Sequence, residues 1–207
     1  MNTGDLEENN EVGTKVSESN LVYKPDLSGK RYTYADYCSW DDDQRWELIR
    51  GEPIKMDAPN RRHQKISGNL FAQLYNFLKG KPCQVYAAAF DVRLNPDDGD
   101  DTVVQPDLVV VCNRSILDDA GCRGVPDMVV EILSSSTAKY DLVRKFKLYQ
   151  EVGIREYWVV DPERSTLAAH VLHPDGYVTK AYGEEYIAPV DVLEGCEINL
   201  KEVFEDD

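Results

Sequence analysis

The sequence predicts one α/β or α+β domain, a central mixed β-sheet flanked by helices. Three observations carry that prediction. The runs Leu108-Val109-Val110-Val111 and Met128-Val129-Val130-Glu131-Ile132-Leu133 are apolar at every position but one, the pattern of strands covered on both faces. Two longer segments, 61–79 and 138–152, place apolar residues at helical spacing. A length of 207 residues suffices for one well-buried core and is short for two.

Residues 1–28 are polar, residues 1–20 carrying Asp5, Glu7, Glu8, Glu11 and Glu18 against Lys15 alone, and read as a disordered acidic arm ahead of a single domain at 29–207. A short helix from Thr33 to Trp40 follows, capped by the threonine. Trp46 to Glu52 reads as a strand running into a turn. The helix 61–79 lines up Ile66, Leu70, Leu74, Phe77 and Leu78 on one stripe. Gln84–Leu94 alternates and reads as a strand, followed by the acidic loop Asp97-Asp98-Gly99-Asp100-Asp101. After the two apolar strands, the helix 138–152 stops at Gly153, a residue that ends helices readily. Glu156–Asp161 is a strand closed by Pro162. Strands at about 166–172 and 177–182 flank the turn Pro174-Asp175-Gly176.

Hydrophobic residues at 42% and charged residues at 29% are ordinary for a globular protein. The net charge of −15 runs against the basic footprint of a nucleic-acid binder, although the arm, the acidic loop and the tail Glu205-Asp206-Asp207 hold part of it. Five cysteines with no C-x-x-C pair suit a reducing compartment and argue against a disulfide scaffold or a structural zinc site. No apolar stretch has signal-peptide or membrane-spanning length, so a cytoplasmic location is expected, with no membrane partner. No Gly-rich phosphate loop follows any strand, which weighs against a doubly wound nucleotide-binding domain.

Glu131 is the residue out of place. An ionised carboxylate buried without a partner costs several kcal/mol, and a divalent metal shared with Asp107, at the head of the other apolar strand, would offset that cost if the two strands are neighbours. Carboxylates converging on Mg²⁺ or Mn²⁺, with a cation that orients water and offsets phosphate charge, are the parts of metal-assisted phosphodiester cleavage. The usual place for that cation, two residues after the glutamate, holds Leu133. The helix 138–152 offers a substitute. At about 100° per residue, Leu142, Phe146, Tyr149 and Val152 define its apolar face. Lys145 falls inside that arc, whereas Lys147 falls opposite with Arg144 and Glu151. An inward lysine needs a carboxylate, and Glu131 is the candidate; Asp141 borders the same face one turn earlier.

Plainer readings stand beside these. Asp107 also fits a loop-capping residue, and Glu131 with Lys145 a buried ion pair that holds no metal. Asp127, four residues from Glu131 on one strand, cannot face it across a site and reads as the head of its strand. His63 shares the apolar stripe of 61–79 and reads as a core or cleft-edge histidine near the site, without a catalytic role. Arg61, Arg62 and Lys65 begin that helix, where phosphates bind well; a solvated face is the commoner outcome. With His63 they are the candidate nucleic-acid contacts. Tyr157 and Trp158 read as packing.

Several stretches, taken in order, resemble one family. They are Glu47-Leu48-Ile49-Arg50-Gly51-Glu52; Ala58-Pro59 with His63; Pro106-Asp107-Leu108-Val109-Val110; Pro126-Asp127-Met128-Val129-Val130-Glu131-Ile132-Leu133-Ser134; Asp141 with Lys145; and Glu156-Tyr157-Trp158-Val159-Val160-Asp161-Pro162. Over roughly residues 31–204 the chain resembles the Uma-type putative restriction endonucleases of the PD-(D/E)XK nuclease superfamily. The resemblance implies a restriction-endonuclease-like fold. It also implies a metal held by Asp107 and Glu131, with the Ile132 carbonyl a further ligand. Lys145 then matches a lysine displaced from strand to helix, and Glu47 an additional acidic position. Ser135 departs from the proline usual in the family. The activity implied is Mg²⁺- or Mn²⁺-dependent endonucleolytic cleavage of DNA, with a homodimer expected by fold analogy. The rival expectation is a nuclease fold that binds DNA or a protein partner without cutting.

Overall fold

The computed structural model describes residues 1, 24–134 and 138–205, and of residues 138–142 only the backbone. The arm expected over 1–28 therefore lies mainly outside the described residues, as do Ser135 and the side chains of Asp141 and Leu142. At residue 25 the chain is already packed: Pro25 is buried, and the Asp26 N–H donates to the Tyr32 hydroxyl at 2.6 Å.

The strands, in chain order, are β1 (Trp46–Ile49), β2 (Glu52–Lys55), β3 (Gln84–Ala87), β4 (Asp91–Arg93), β5 (Val103–Val104), β6 (Leu108–Val111), β7 (Leu117–Asp118), β8 (Gly121–Arg123), β9 (Met128–Ile132), β10 (Glu156–Asp161), β11 (Thr166–His173), β12 (Gly176–Gly183), β13 (Ile187–Pro189) and β14 (Glu197–Asn199). The helices are α1 (Tyr34–Tyr37), α2 (Arg61–Leu78), α3 (Ala138–Val152) and α4 (Leu200–Phe204). A mixed sheet runs β12-β11-β10-β9-β6-β3, with β9 and β10 parallel and the other neighbours antiparallel. A second sheet runs β2-β1-β5-β4-β8-β7, and β13 pairs with β14.

The two apolar strands lie at the centre of the mixed sheet because helices cover both of its faces. Leu108, Val110, Met128, Val130 and Ile132 cluster with Ile66, Leu70, Leu74 and Leu78 of α2. Val109, Val111 and Val129 cluster with Leu148 and Tyr149 of α3. Leu70 and Leu74 are fully buried, each stabilising the fold by roughly 1.5–3 kcal/mol. Parallel neighbours need a crossover, and α3 supplies it between β9 and β10. That crossover lays α3 back over the face that carries Glu131.

Several elements differ from expectation. Thr33 does cap α1, in a capping box with Asp36, but the helix ends at Tyr37. Trp40 is drawn off the helix into edge-on packing with Tyr32 and Trp46. The strand expected over 84–94 divides, β3 joining one sheet and β4 the other. The strand from Trp46 becomes a hairpin. Its turn residues Arg50 and Gly51 have φ of 51° and 77°, the left-handed pair of a two-residue turn, and arginine in place of the usual asparagine hid it. Cys83 and Cys112, set opposite by the β3–β6 register, form a disulfide; the odd cysteine count and missing C-x-x-C gave no sign of that pair. Cys38, Cys122 and Cys196 are free. Among the described residues no helix is long and apolar enough to cross a membrane.

Candidate active site

The segment Gln105-Pro106-Asp107 crosses from β5 in one sheet to β6 in the other, and the site gathers around it. A cavity of about 120 Å³ opens there, lined by Glu47, His63, Asp107, Glu131, Ile132 and Lys145 among others. Asp107 is held by the Ile132 N–H, which donates to Oδ2 at 2.7 Å, and by His63 Nε2, 3.2 Å from the same oxygen. Glu131 projects from β9 on the α3 face. Its Oε1 accepts from Lys145 Nζ at 2.9 Å and from the Tyr149 hydroxyl at 2.7 Å. Lys145 also donates to Glu47 Oε1 at 2.8 Å, and that oxygen accepts the Gln105 N–H at 2.9 Å. One lysine thus ties a carboxylate of each sheet together.

Helix geometry selects the lysine. Lys145 is 10% exposed as a side chain, whereas Lys147 on the opposite face is 74% exposed. Tyr149, four residues after Lys145, reaches the same Glu131 oxygen from the same face.

Glu47, Glu131 and Asp107 have side chains 4%, 14% and 19% exposed, and Lys145 is the buried cation among them, with the more exposed Arg45, Lys55 and Asp57 also lining the cavity. Burial pushes Glu131 up to about 7 against the pull of Lys145, with Glu47 and Asp107 adding to the rise. Burial alone would strip the proton from Lys145, but Glu131 and Glu47 outweigh it and hold the ammonium charged well beyond its ordinary range. Burial likewise opposes a charge on His63, yet the hydrogen bond and charge of Asp107 raise its pKa overall.

The donor set suits Mg²⁺ or Mn²⁺. Among the described residues no three His, Cys, Asp or Glu side chains form a closed cage. Two carboxylates with a carbonyl match an ion that keeps several waters and takes further oxygens from a phosphate. Among the described residues the Ile132 carbonyl lacks a ladder donor for a structural reason, and the His63 ring hydrogen-bonds it. The β6–β9 register, continued past Leu108↔Val130, sets Ile132 opposite Pro106, which has no N–H to give the ladder.

Other residues singled out in the sequence fall as follows. Arg61 is exposed at the start of α2, and Arg62 reaches the Ser165 hydroxyl at 3.4 Å. Lys65 is half-buried one turn along the helix. Asp127 is structural: Oδ2 accepts the Cys112 N–H and Oδ1 the Arg155 guanidinium. Tyr157 and Trp158 are fully buried. Sequence reasoning missed the roles of Tyr149 and Gln105. The i, i+4 spacing of Lys145 and Tyr149 was the signal for the first; the second acts through its main chain and left none.

Two uncharacterized proteins of Synechocystis sp. (strain ATCC 27184 / PCC 6803 / Kazusa) are similar in sequence. For slr1290 the identity is 26% over 159 residues, covering 75% of this chain and 82% of that protein. For sll1609 it is 25% over 137 residues, covering 64% and 76%. In fold, the chain is similar to the crystal structure of a putative nuclease belonging to DUF820 from Anabaena variabilis ATCC 29413. That likeness has a TM-score of 0.68 at 17% identity and covers 84% of this chain and 97% of the other. The Uma2 pattern, described as putative restriction endonuclease, matches residues 33–201. With that match spanning most of its length and a restriction-endonuclease-like fold beneath it, the chain belongs to the Uma2 putative restriction endonuclease family.

Proposed function

We propose that this protein is a metal-dependent endonuclease that hydrolyses DNA phosphodiester bonds. The observation that carries the reading is the convergence of two carboxylates, Asp107 and Glu131, on one open cavity beside the buried, charged Lys145. Family membership and the fold of a putative nuclease support it. Asp107, Glu131 and the Ile132 carbonyl would hold Mg²⁺ or Mn²⁺. When bound, the ion polarises a phosphoryl oxygen and eases ionisation of a coordinated water. Lys145, which keeps its proton, orients the attacking water and offsets charge on the phosphate in the transition state; it does not act as a base. Glu47 keeps the lysine aimed at the cavity. Arg61, Arg62, His63 and Lys65 were the candidate nucleic-acid contacts; we retain the three cations for phosphates beside the cleft and assign His63 to Asp107. A homodimer and a cytoplasmic location complete the proposal.

Supercoiled plasmid incubated with Mn²⁺ or Mg²⁺ tests it. Nicking by the wild type should fall at least about 100-fold in Asp107→Ala and Glu131→Ala, in line with loss of a transition-state charge stabiliser. Undiminished cleavage by either variant would remove the assignment. The net charge of −15 favours a second reading, a nuclease fold that binds a partner without cutting. Such a protein would bind neither metal in a calorimetric titration.

A further inference from the structure

We propose that His63 and Tyr149 are positioning residues that decide which oxygen of each metal-binding carboxylate faces the metal. The inference rests on the metal reading above and adds to it two residues that neither bind the ion nor touch the substrate.

The two carboxylates are held in the same way. Asp107 receives both of its donors, the Ile132 N–H and His63 Nε2, on Oδ2. Glu131 receives both of its donors, Lys145 Nζ and the Tyr149 hydroxyl, on Oε1. Among the described residues no donor reaches Asp107 Oδ1 or Glu131 Oε2, and both side chains line the cavity. Each carboxylate therefore has one oxygen saturated by protein and one left for a cation. Two donors on a single oxygen also stop the carboxylate from turning over, so the free oxygens are fixed before any ion arrives.

The residue types fit this role better than a packing role. His63 occupies a stripe position of α2 that Ile66, Leu70 and Leu74 continue with apolar side chains. Its Nδ1 is buried without a partner, a cost that a leucine there would not incur. The ring provides hydrogen bonds to Asp107 and to the Ile132 main chain, and Nε2 donates to Asp107 in either protonation state. Its main chain is fixed as well, since the His63 N–H donates to the Asn60 cap at 2.9 Å. Tyr149 is fully buried and packs edge-on against Tyr157 at 5.0 Å. Phenylalanine would fill the same space, so the hydroxyl at Glu131 is the distinguishing contribution.

The test is a calorimetric titration of the full chain with Mn²⁺ alone, beside metal-free thermal melts. Tyr149→Phe and His63→Ala should each bind Mn²⁺ about 10–100-fold more weakly than the wild type, the usual effect of losing an outer-shell partner. Metal-free melts of Tyr149→Phe should stay cooperative. His63→Gln, whose amide N–H can replace the Nε2 donor, should recover most of the affinity that His63→Ala loses; a purely structural role would give no such rescue. Mn²⁺ affinities of Tyr149→Phe and His63→Ala within about twofold of wild type, with Asp107→Ala abolishing binding, would overturn the inference and leave the metal reading standing. A wild type that binds no Mn²⁺ would remove both.

Discussion

Lys145 shows how much one residue settles here. It is the permanent cation of a buried group that includes Glu47 and Glu131, so its removal leaves two carboxylates without a counter-charge in a poorly solvated place. Lys145→Met should destabilise the fold by roughly 3–5 kcal/mol in denaturant unfolding. Lys147→Ala, on the exposed face of the same helix, should change stability by no more than about 0.5 kcal/mol. Equal, small effects would mean that the Lys145 clamp contributes little. A second residue gives a pH signature. Burial lowers the pKa of His170, which stays neutral beside Thr179 at 2.7 Å. The unfolded chain then binds a proton that the folded one refuses. The stability from this group is present above the ordinary histidine range and is lost as pH falls through about 6.5. The difference in melting temperature between wild type and His170→Asn should therefore shift against the wild type between pH 7.5 and 5.5; a constant difference would refute the assignment.

At the level of elements, the disulfide between Cys83 and Cys112 closes a loop with a sequence separation of 29 and pins the far end of the strand that Asp107 precedes. Reduction should cost about 2–4 kcal/mol in guanidinium unfolding, and Cys112→Ser should match the reduced wild type. An unchanged midpoint under reductant would show that the bond adds no constraint. The strands and helices that build the site were legible in the sequence because each carries a strong period or an unbroken apolar run: α2, α3, β6, β9 and β10. Elements of two or three residues, such as β5, β7 and β8, are too short to show any period. The β1–β2 hairpin escaped notice because Arg50-Gly51 adopts a turn normally announced by Asn-Gly. In the site, Glu131 was legible as a charge inside an apolar strand, and Lys145 as a charge inside an apolar arc. The contacts of Asp107 with His63 and of Glu47 with Gln105 join positions far apart in the chain, and only the tertiary fold reveals them: α2 over the mixed sheet for the first, β1 beside β5 for the second.

For the molecule as a whole, the proposed function sets an acidic protein against a polyanionic substrate. Some of the acidity is paired away from the site, as Asp100 is with Arg93 and Asp97 with Arg123. On the proposed reading, Asp107 and Glu131 would recruit a divalent ion, and the ion would in turn present a positive face to phosphate. The two sheets meet at these carboxylates, and α3 bridges them through Lys145, with Arg144 adding an ion pair to Glu52. The claim on which the rest depends is that Asp107, Glu131 and the Ile132 carbonyl share one metal. Anomalous diffraction from crystals soaked in Mn²⁺ tests it most directly. The expected result is a peak in the cleft within coordinating reach of Asp107 Oδ1, Glu131 Oε2 and the Ile132 carbonyl, absent from Glu131→Ala crystals. A cleft without a peak at saturating Mn²⁺, or a peak that persists in that variant, would contradict the account.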